Sequence, residues 1–317
     1  MPTVRLSAGS VIATLLMAAC GFATATPPPS AGHGSRGLCR SLTTRCGNHE
    51  DKDATSTFHG GFVTASYKPW GTPQCSNWGN PVNNSQVHFG PFNVVTNPVG
   101  QGRYAGKFDL PAWSGGRTRC QLITPRPIGV GTDDYYTLMF YIPRGWTPGT
   151  SVFWGVQIAE MDFEGLGAGG GPVSLQLHSD HLTVNLASGV STSTMPYHQY
   201  RSNADSTGSP NLPPMYAIPP GSLQQGAWNE VIVHVHWAVD SSGAIEAWHR
   251  VLGQPTWTKT VSFSGYPTLQ TYPDGSMPVS TNDDIQAYRG PSTAPVSLWL
   301  DGFSRSQSFA TAAAYLP

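Results

Sequence analysis

The sequence is poor in charge. Asp, Glu, Lys and Arg supply 11% of its 317 residues, against about a quarter in an average soluble chain. The signs also balance, with 17 Lys and Arg, 18 Asp and Glu, and a formal net charge of −1. No field of one sign is available to gather nucleic acid or an anionic membrane, so neither is expected as a partner. Helical periodicity with caps is missing throughout. Beyond the amino terminus no apolar run is long enough to span a bilayer, and no internal repeat is visible. What the chain has in quantity is 36 Gly, 28 Pro and 11% aromatics. That composition predicts many turns, few surface helices and enough large side chains for a core.

The amino terminus reads as an export signal. Met1 to Arg5 carries one positive charge, and Leu6 to Ala19 is an uncharged, largely apolar stretch too short for a span. Two processing routes fit: cleavage after Ala23-Thr24-Ala25, or a lipobox-like Leu16-Met17-Ala18-Ala19-Cys20 that leaves a lipid on Cys20. The expected location is extracellular or cell-surface, with membrane contact only through that lipid. Of five cysteines, Cys39, Cys46, Cys75 and Cys120 remain after processing. An even remainder in an exported chain reads as disulfides, and four cysteines allow three pairings. Cys39–Cys46, closing a small loop, and Cys75–Cys120, tying the early region to a strand, are the favoured pairs.

Residues 1–25 are thus the signal, 26–56 a Pro/Gly/Ser-rich tether, and 57–317 one folded domain. Within the domain, apolar residues alternate. Gly106, Phe108 and Leu110, Tyr135 to Ile142, Val152 to Ile158, and Val296, Leu298 and Leu300 all read as strands. The clearest hairpin is Glu230 to Val251. Val231, Val233, Val235, Trp237 and Val239 share one face, Ile232, His234 and His236 the other, and Asp240-Ser241-Ser242-Gly243 is the turn. Residues 189–226 read as a long loop across one face. Many short strands with Gly/Pro turns predict an all-β protein, a jelly-roll β-sandwich of two curved antiparallel sheets. Its concave face would then be a groove able to take an extended polymer.

Glu160-Met161-Asp162-Phe163-Glu164 places three carboxylates on one face of a strand, with Met161 and Phe163 entering the core. Crowded carboxylates raise at least one pKa, which yields the acid and carboxylate pair of glycoside hydrolysis. The pentapeptide resembles the signature of glycoside hydrolase family 16. That resemblance implies Glu160 as nucleophile, Asp162 as its orienting partner and Glu164 as acid/base.

A longer resemblance runs through most of residues 100–310. Gly102-Arg103-Tyr104, Phe108-Asp109-Leu110-Pro111, Arg117 to Leu122, Phe140 to Trp146, Trp228 to Trp248, Ala287-Tyr288-Arg289 and Leu300 to Phe303 follow the order seen in heparin-lyase-type polysaccharide lyases. That family is a concanavalin A-like jelly roll that cleaves uronic-acid polysaccharides by β-elimination. The resemblance implies Tyr288 as base or acid, Gln157 as the group neutralising the uronate carboxylate, and Arg119 with Gln121 as binders of the acidic sugar. Alternation sends Arg289 to the face opposite Tyr288. The sequence departs from the family in three places: Ala159 replaces a histidine two residues after Gln157, Asp284 replaces a lysine, and Gln121 replaces a glutamate. His178 and His234 are the candidates to stand in for the missing histidine.

His234, His236 and His249 meet if residue 239 lies opposite 244, giving a sugar-binding or metal-binding reading beside the plainer one of hydrogen-bonded sheet residues. The same register places Trp237 and Trp248 on one face, as a sugar-stacking platform or as core. No metal and no cofactor is required by the pattern, although a structural calcium ion is compatible with it. The expected partner is a polysaccharide and the expected state a monomer. The candidate functions are a lyase, a retaining glycoside hydrolase and a non-catalytic sugar-binding jelly roll.

Overall fold

The computed structural model describes residues 45–47, 74–78, 87–88, 93–101, 105–125, 128–149, 155–164, 171–191, 198–202, 211–277 and 280–317. The signal segment with Cys20, most of the tether, and the Cys39–Cys46 pair lie outside the described residues or their side chains.

Strands dominate, as the alternation predicts. In chain order they are β1 (Arg45–Gly47), β2 (Gln74–Trp78), β3 (Val87–His88), β4 (Asn93–Val95), β5 (Ala105–Leu110), β6 (Arg117–Pro125), β7 (Asp133–Tyr141), β8 (Val156–Glu164) and β9 (Val173–Leu177). They continue as β10 (Leu182–Ser191), β11 (His198–Arg201), β12 (Met215–Ile218), β13 (Trp228–His236), β14 (Ala244–Val251), β15 (Thr258–Ser264), β16 (Gln270–Thr271), β17 (Ser280–Arg289) and β18 (Val296–Ser306). One sheet runs β15-β14-β13-β7-β18-β5-β4, with β1 also on β18. The other runs β11-β10-β9-β8-β17-β6-β2-β3, with β12 and β16 both on β10. The pair is a jelly-roll β-sandwich.

One apolar cluster fills the space between the sheets. Phe108 and Leu110, Leu138 and Phe140, and Val231, Val233 and Val235 enter it from the first sheet, and Cys120, Leu122, Met161, Leu175, Ile285 and Ala287 from the second. Each such aliphatic side chain stabilises the fold by about 1.5–3 kcal/mol relative to exposure. One ionic group crosses the same space. Arg305 of β18 donates to both oxygens of Asp134 on β7, at 2.6 and 2.5 Å, and reaches Asp283 of β17 at 3.5 Å. Cys75 of β2 and Cys120 of β6 are opposite one another and joined as a disulfide, the expected pair.

Four expectations need correction. In the 230–251 hairpin His236 lies opposite Ala244, so the connection is Trp237 to Gly243 and Val239 is exposed. The 189–226 stretch is not all loop, because the end of β10 and all of β11 and β12 fall inside it. Arg45–Gly47 of the tether pairs with β18. A helix, α1 (Phe309–Tyr315), closes the chain; at seven residues it is too short to show a period. Ser308 caps it by accepting from Thr311 N at 3.2 Å, and Ala312 and Tyr315 pack with Met139, Trp228 and Ile232 on the outer face of the first sheet. Among the described residues no helix is long and apolar enough to cross a membrane.

Candidate active site

The second sheet has a polar face on the side away from the core. In β6, Thr118, Cys120 and Leu122 are buried toward the core, which turns Arg117, Arg119 and Gln121 outward. In β17, Ile285, Ala287 and Arg289 point inward and Gln286 and Tyr288 outward. Arg289 does lie opposite Tyr288: it is fully buried and donates to the carbonyls of Leu110, Pro111, Pro148 and Ala294.

Strict alternation fails in β8, and the failure builds the site. Met161 faces the core, so alternation would send Ala159 and Gln157 there too. A register shift between Gln157 and Ala159 puts one extra residue in β8 against β9, whereas against β17 the extra residue falls in β17, between Ile285 and Tyr288. Ile158 and Ala159 then both join the core cluster, while Gln157 and Glu160 both reach the polar face. Ala159 therefore does not occupy the position that a histidine two residues past Gln157 would hold in a regular strand.

Register now lines the side chains up in rows across the strands. Tyr288 lies opposite Arg119 on one side and opposite Gln157 on the other, and Gln157 opposite Gln176 of β9. Arg117 donates from Nη1 to the Tyr288 hydroxyl at 2.7 Å, and the Arg117 and Arg119 guanidinium carbons each lie 5.8 Å from the ring centroid. Burial pushes the Tyr288 pKa above its usual value, against the charges of Arg117 and Arg119, and Glu160 adds to the rise. The two guanidinium groups act to lower that pKa, and burial outweighs them. Gln157 is 6% exposed, and its Nε2 is buried with no hydrogen-bond partner, an arrangement that costs about 1–3 kcal/mol unless a ligand completes it. Gln121, 2% exposed, lies opposite Gln286 in the next row.

Continuing each strand by one residue brings Arg117, Gly290, Gly155 and His178 level with one another. Gly155 has φ +64, and a Cβ there would meet Leu177 O at 2.3 Å and His178 Nδ1 at 3.2 Å. Two glycines thus form a floor between Arg117 and His178. His178 stacks on His181 at 4.2 Å, and His181 Nδ1 is 2.6 Å from Asp180. Burial, helped by the His181 charge and opposed by Asp180, depresses the His178 pKa to about 4, and its Nε2 is buried without a partner. His178 is neutral over the ordinary pH range.

Glu160 is 7% exposed and accepts from Gly171 N at 2.5 Å and from Gln286 Nε2 at 2.9 Å. The side chains of Asp162 and Glu164 lie outside the described residues.

The remaining candidates do not join this site. His234, His236 and Trp248 stand on β13 and β14, on the outer face of the first sheet. His234 lies 2.8 Å from Asp133 and 3.0 Å from Glu246 and stacks on Tyr135 at 4.3 Å, and His236 lies 3.0 Å from Asp133. Trp248 packs against Phe309 of α1 at 4.7 Å, while Trp237 is wholly buried in the core with Nε1 on Asp134, so the two do not share a face. His249 lies opposite Val231 and shares its core-directed face, away from His234. The three-residue shift in the hairpin connection accounts for all of this. Among the described residues no group of three or more His, Cys, Asp or Glu side chains is placed to hold a metal ion.

A protein-family model described as polysaccharide lyase matches residues 64–271. The chain belongs to this polysaccharide lyase family. The matched span contains Arg117, Arg119, Gln121, Gln157 and His178 and stops short of β17. Among solved structures, the endo-β-1,4-glucuronan lyase of the fungus Trichoderma reesei is similar at 18% identity and a TM-score of 0.53, over 75% of this chain and 96% of that one. The PL-14 alginate lyase of Aplysia kurodai is similar at 10% identity and a TM-score of 0.47, over 84% of this chain and 100% of that one. The first likeness is one of fold. No curated protein matches the sequence. Within the polysaccharide lyase family, the signal missed in the sequence was Arg117, which simple alternation from Arg119 would have found.

Proposed function

We propose that the polar face around Tyr288 and Gln157 is the active site of an exported lyase that cleaves a uronic-acid-containing polysaccharide by β-elimination. The observation that carries the reading is one row: Arg119, Tyr288 and Gln157 side by side, with Arg117 on the phenol and an unpartnered Gln157 amide. Elimination needs a donor to the uronate carboxylate, a base for the C5 proton and an acid for the leaving oxygen. Gln157 Nε2 and Arg119 would engage the carboxylate, raising the acidity of the C5 proton.

Tyr288 would be the acid. Its raised pKa keeps the proton on the phenol, whose oxygen accepts from Arg117. His178 would be the base, being neutral and having its Nε2 lone pair unengaged. Arg117 and His178 are three strand spacings apart, about 14 Å, and the glycine floor between them leaves room for a sugar ring. His178 takes the C5 proton, the C4–C5 double bond forms, the C4–O bond breaks and Tyr288 protonates the departing oxygen. One proton enters the protein and one leaves it.

The near-neutral charge of the chain favours an unsulfated polyuronide, and a β-1,4-glucuronan is the first polymer to try. The test is ultraviolet absorbance of the unsaturated uronate on a panel of polyuronides, with Tyr288→Phe and His178→Gln beside the wild type. Appearance of reducing ends without that absorbance would overturn the lyase chemistry.

A further inference from the structure

The Glu-x-Asp-x-Glu segment is not used by the elimination, yet its first carboxylate is anchored at both oxygens on the polar face. Glu160 lies opposite Asp284 in β17 and spends one oxygen on Gly171 N and the other on Gln286 Nε2. Gln286 is fully buried and stands two residues before Tyr288 on the same face. An ionised carboxylate only accepts, so it fixes the Gln286 amide with its nitrogen toward Glu160. Gly171 is the residue from which the chain turns into β9, which carries Gln176 and leads to His178. One side chain therefore holds both Gln286, on the strand face that carries Tyr288, and the start of the strand that leads to His178.

We propose that Glu160 is a positioning residue for the reaction, fixing Gln286, the next residue along from Tyr288 on the same face of β17, and supplying the negative charge that balances Arg117 and Arg119 so that the phenol remains a proton donor. The proposal rests on the lyase reading above for its catalytic consequence, but not for its electrostatic one. Among the described residues the charged groups placed around Tyr288 are Arg117 and Arg119 from β6, Glu160 from β8 and Asp284 from its own strand, with His178 beyond β8. Removing Glu160 takes away one charge that opposes the two arginines, which favour the phenolate against burial.

Glu160→Gln is the test, because it keeps the size and an acceptor for Gly171 N while removing the charge. Tyrosinate absorbance is titrated in the wild type and in Glu160→Gln, each against the same protein carrying Tyr288→Phe, so that the difference isolates one phenol. The expected result is a Tyr288 titration displaced to lower pH in Glu160→Gln, with the alkaline limb of kcat/KM displaced in the same direction and the acid limb unmoved. Gln286→Glu places a second carboxylate beside the first and should displace both in the opposite direction, which keeps the test decisive if Glu160→Gln does not fold. A Tyr288 titration that stays at the wild-type position in the folded variant overturns the proposal. A wild type that yields no unsaturated product on any polyuronide, with the titration displaced as expected, overturns the lyase reading and leaves the electrostatic role of Glu160 standing.

Discussion

Replacing Tyr288 by Phe should nearly abolish activity while leaving the fold almost untouched. The ring keeps its place between β6 and β8, so the contacts with the Arg117 and Arg119 guanidinium groups survive. The hydrogen bond from Arg117 Nη1 at 2.7 Å is lost, and such a bond contributes about 0.5–1.5 kcal/mol net. Arg117 is exposed, so its freed N–H groups turn to water and the cost stays at the low end. The catalytic loss is of a different size. A positioned proton donor contributes about 10²–10⁴-fold, or roughly 3–5 kcal/mol of barrier at 1.36 kcal/mol per decade. The assay is initial rate from unsaturated-uronate absorbance, with the thermal midpoint measured on the same sample. A Tyr288→Phe protein that keeps more than about a tenth of the wild-type rate refutes the assignment of the phenol as proton donor.

Activity should have an acid limb near the His178 pKa of about 4 and hold through neutral pH, checked by a kcat/KM profile in wild type and His181→Phe, where loss of the His181 charge should move that limb upward. The same group makes stability pH-dependent: between 6.5 and about 4 the unfolded chain binds a proton that folded His178 does not, so its contribution is intact above 6.5 and is lost as pH falls. His249, depressed to about 4 by burial, acts in the same direction, and thermal midpoints at pH 7 and pH 5 should show it. Arg305→Ala leaves Asp134 and Asp283 buried without their cation and should cost about 3–5 kcal/mol in denaturant unfolding. Reducing Cys75–Cys120, which closes a separation of 45 residues, should cost up to about 4 kcal/mol by the chain-entropy relation. Gly155→Ala should lower the thermal midpoint as well as the rate, because at φ +64 the added Cβ meets the Leu177 carbonyl at 2.3 Å and His178 Nδ1 at 3.2 Å.

Most of the fold was legible because period two survives wherever one face of a strand is buried. Val231, Val233 and Val235 against Ile232 and His234 gave β13 its faces, and Cys75 and Cys120 were already the natural pair. Register was not legible. The connection after β13 begins at Trp237 rather than Asp240, and those three residues carried His249 away from His234 and Trp248 away from Trp237. The bulge in β8 was also silent in the sequence, since no glycine marks it, yet it brings Gln157 and Glu160 to one face. Tyr288, Arg119, Gln121 and Gln157 were named from family order and do converge on the second sheet. His178 was named without a place, which the β9–β10 turn supplies.

The most direct measurement is the chemistry of the new chain end when purified protein is incubated with β-1,4-glucuronan and with alginate. β-Elimination leaves an unsaturated uronate at every cut, expected as ultraviolet absorbance rising in step with reducing ends and lost in Tyr288→Phe. New reducing ends with no rise in absorbance, or a rise undiminished in Tyr288→Phe, would contradict it.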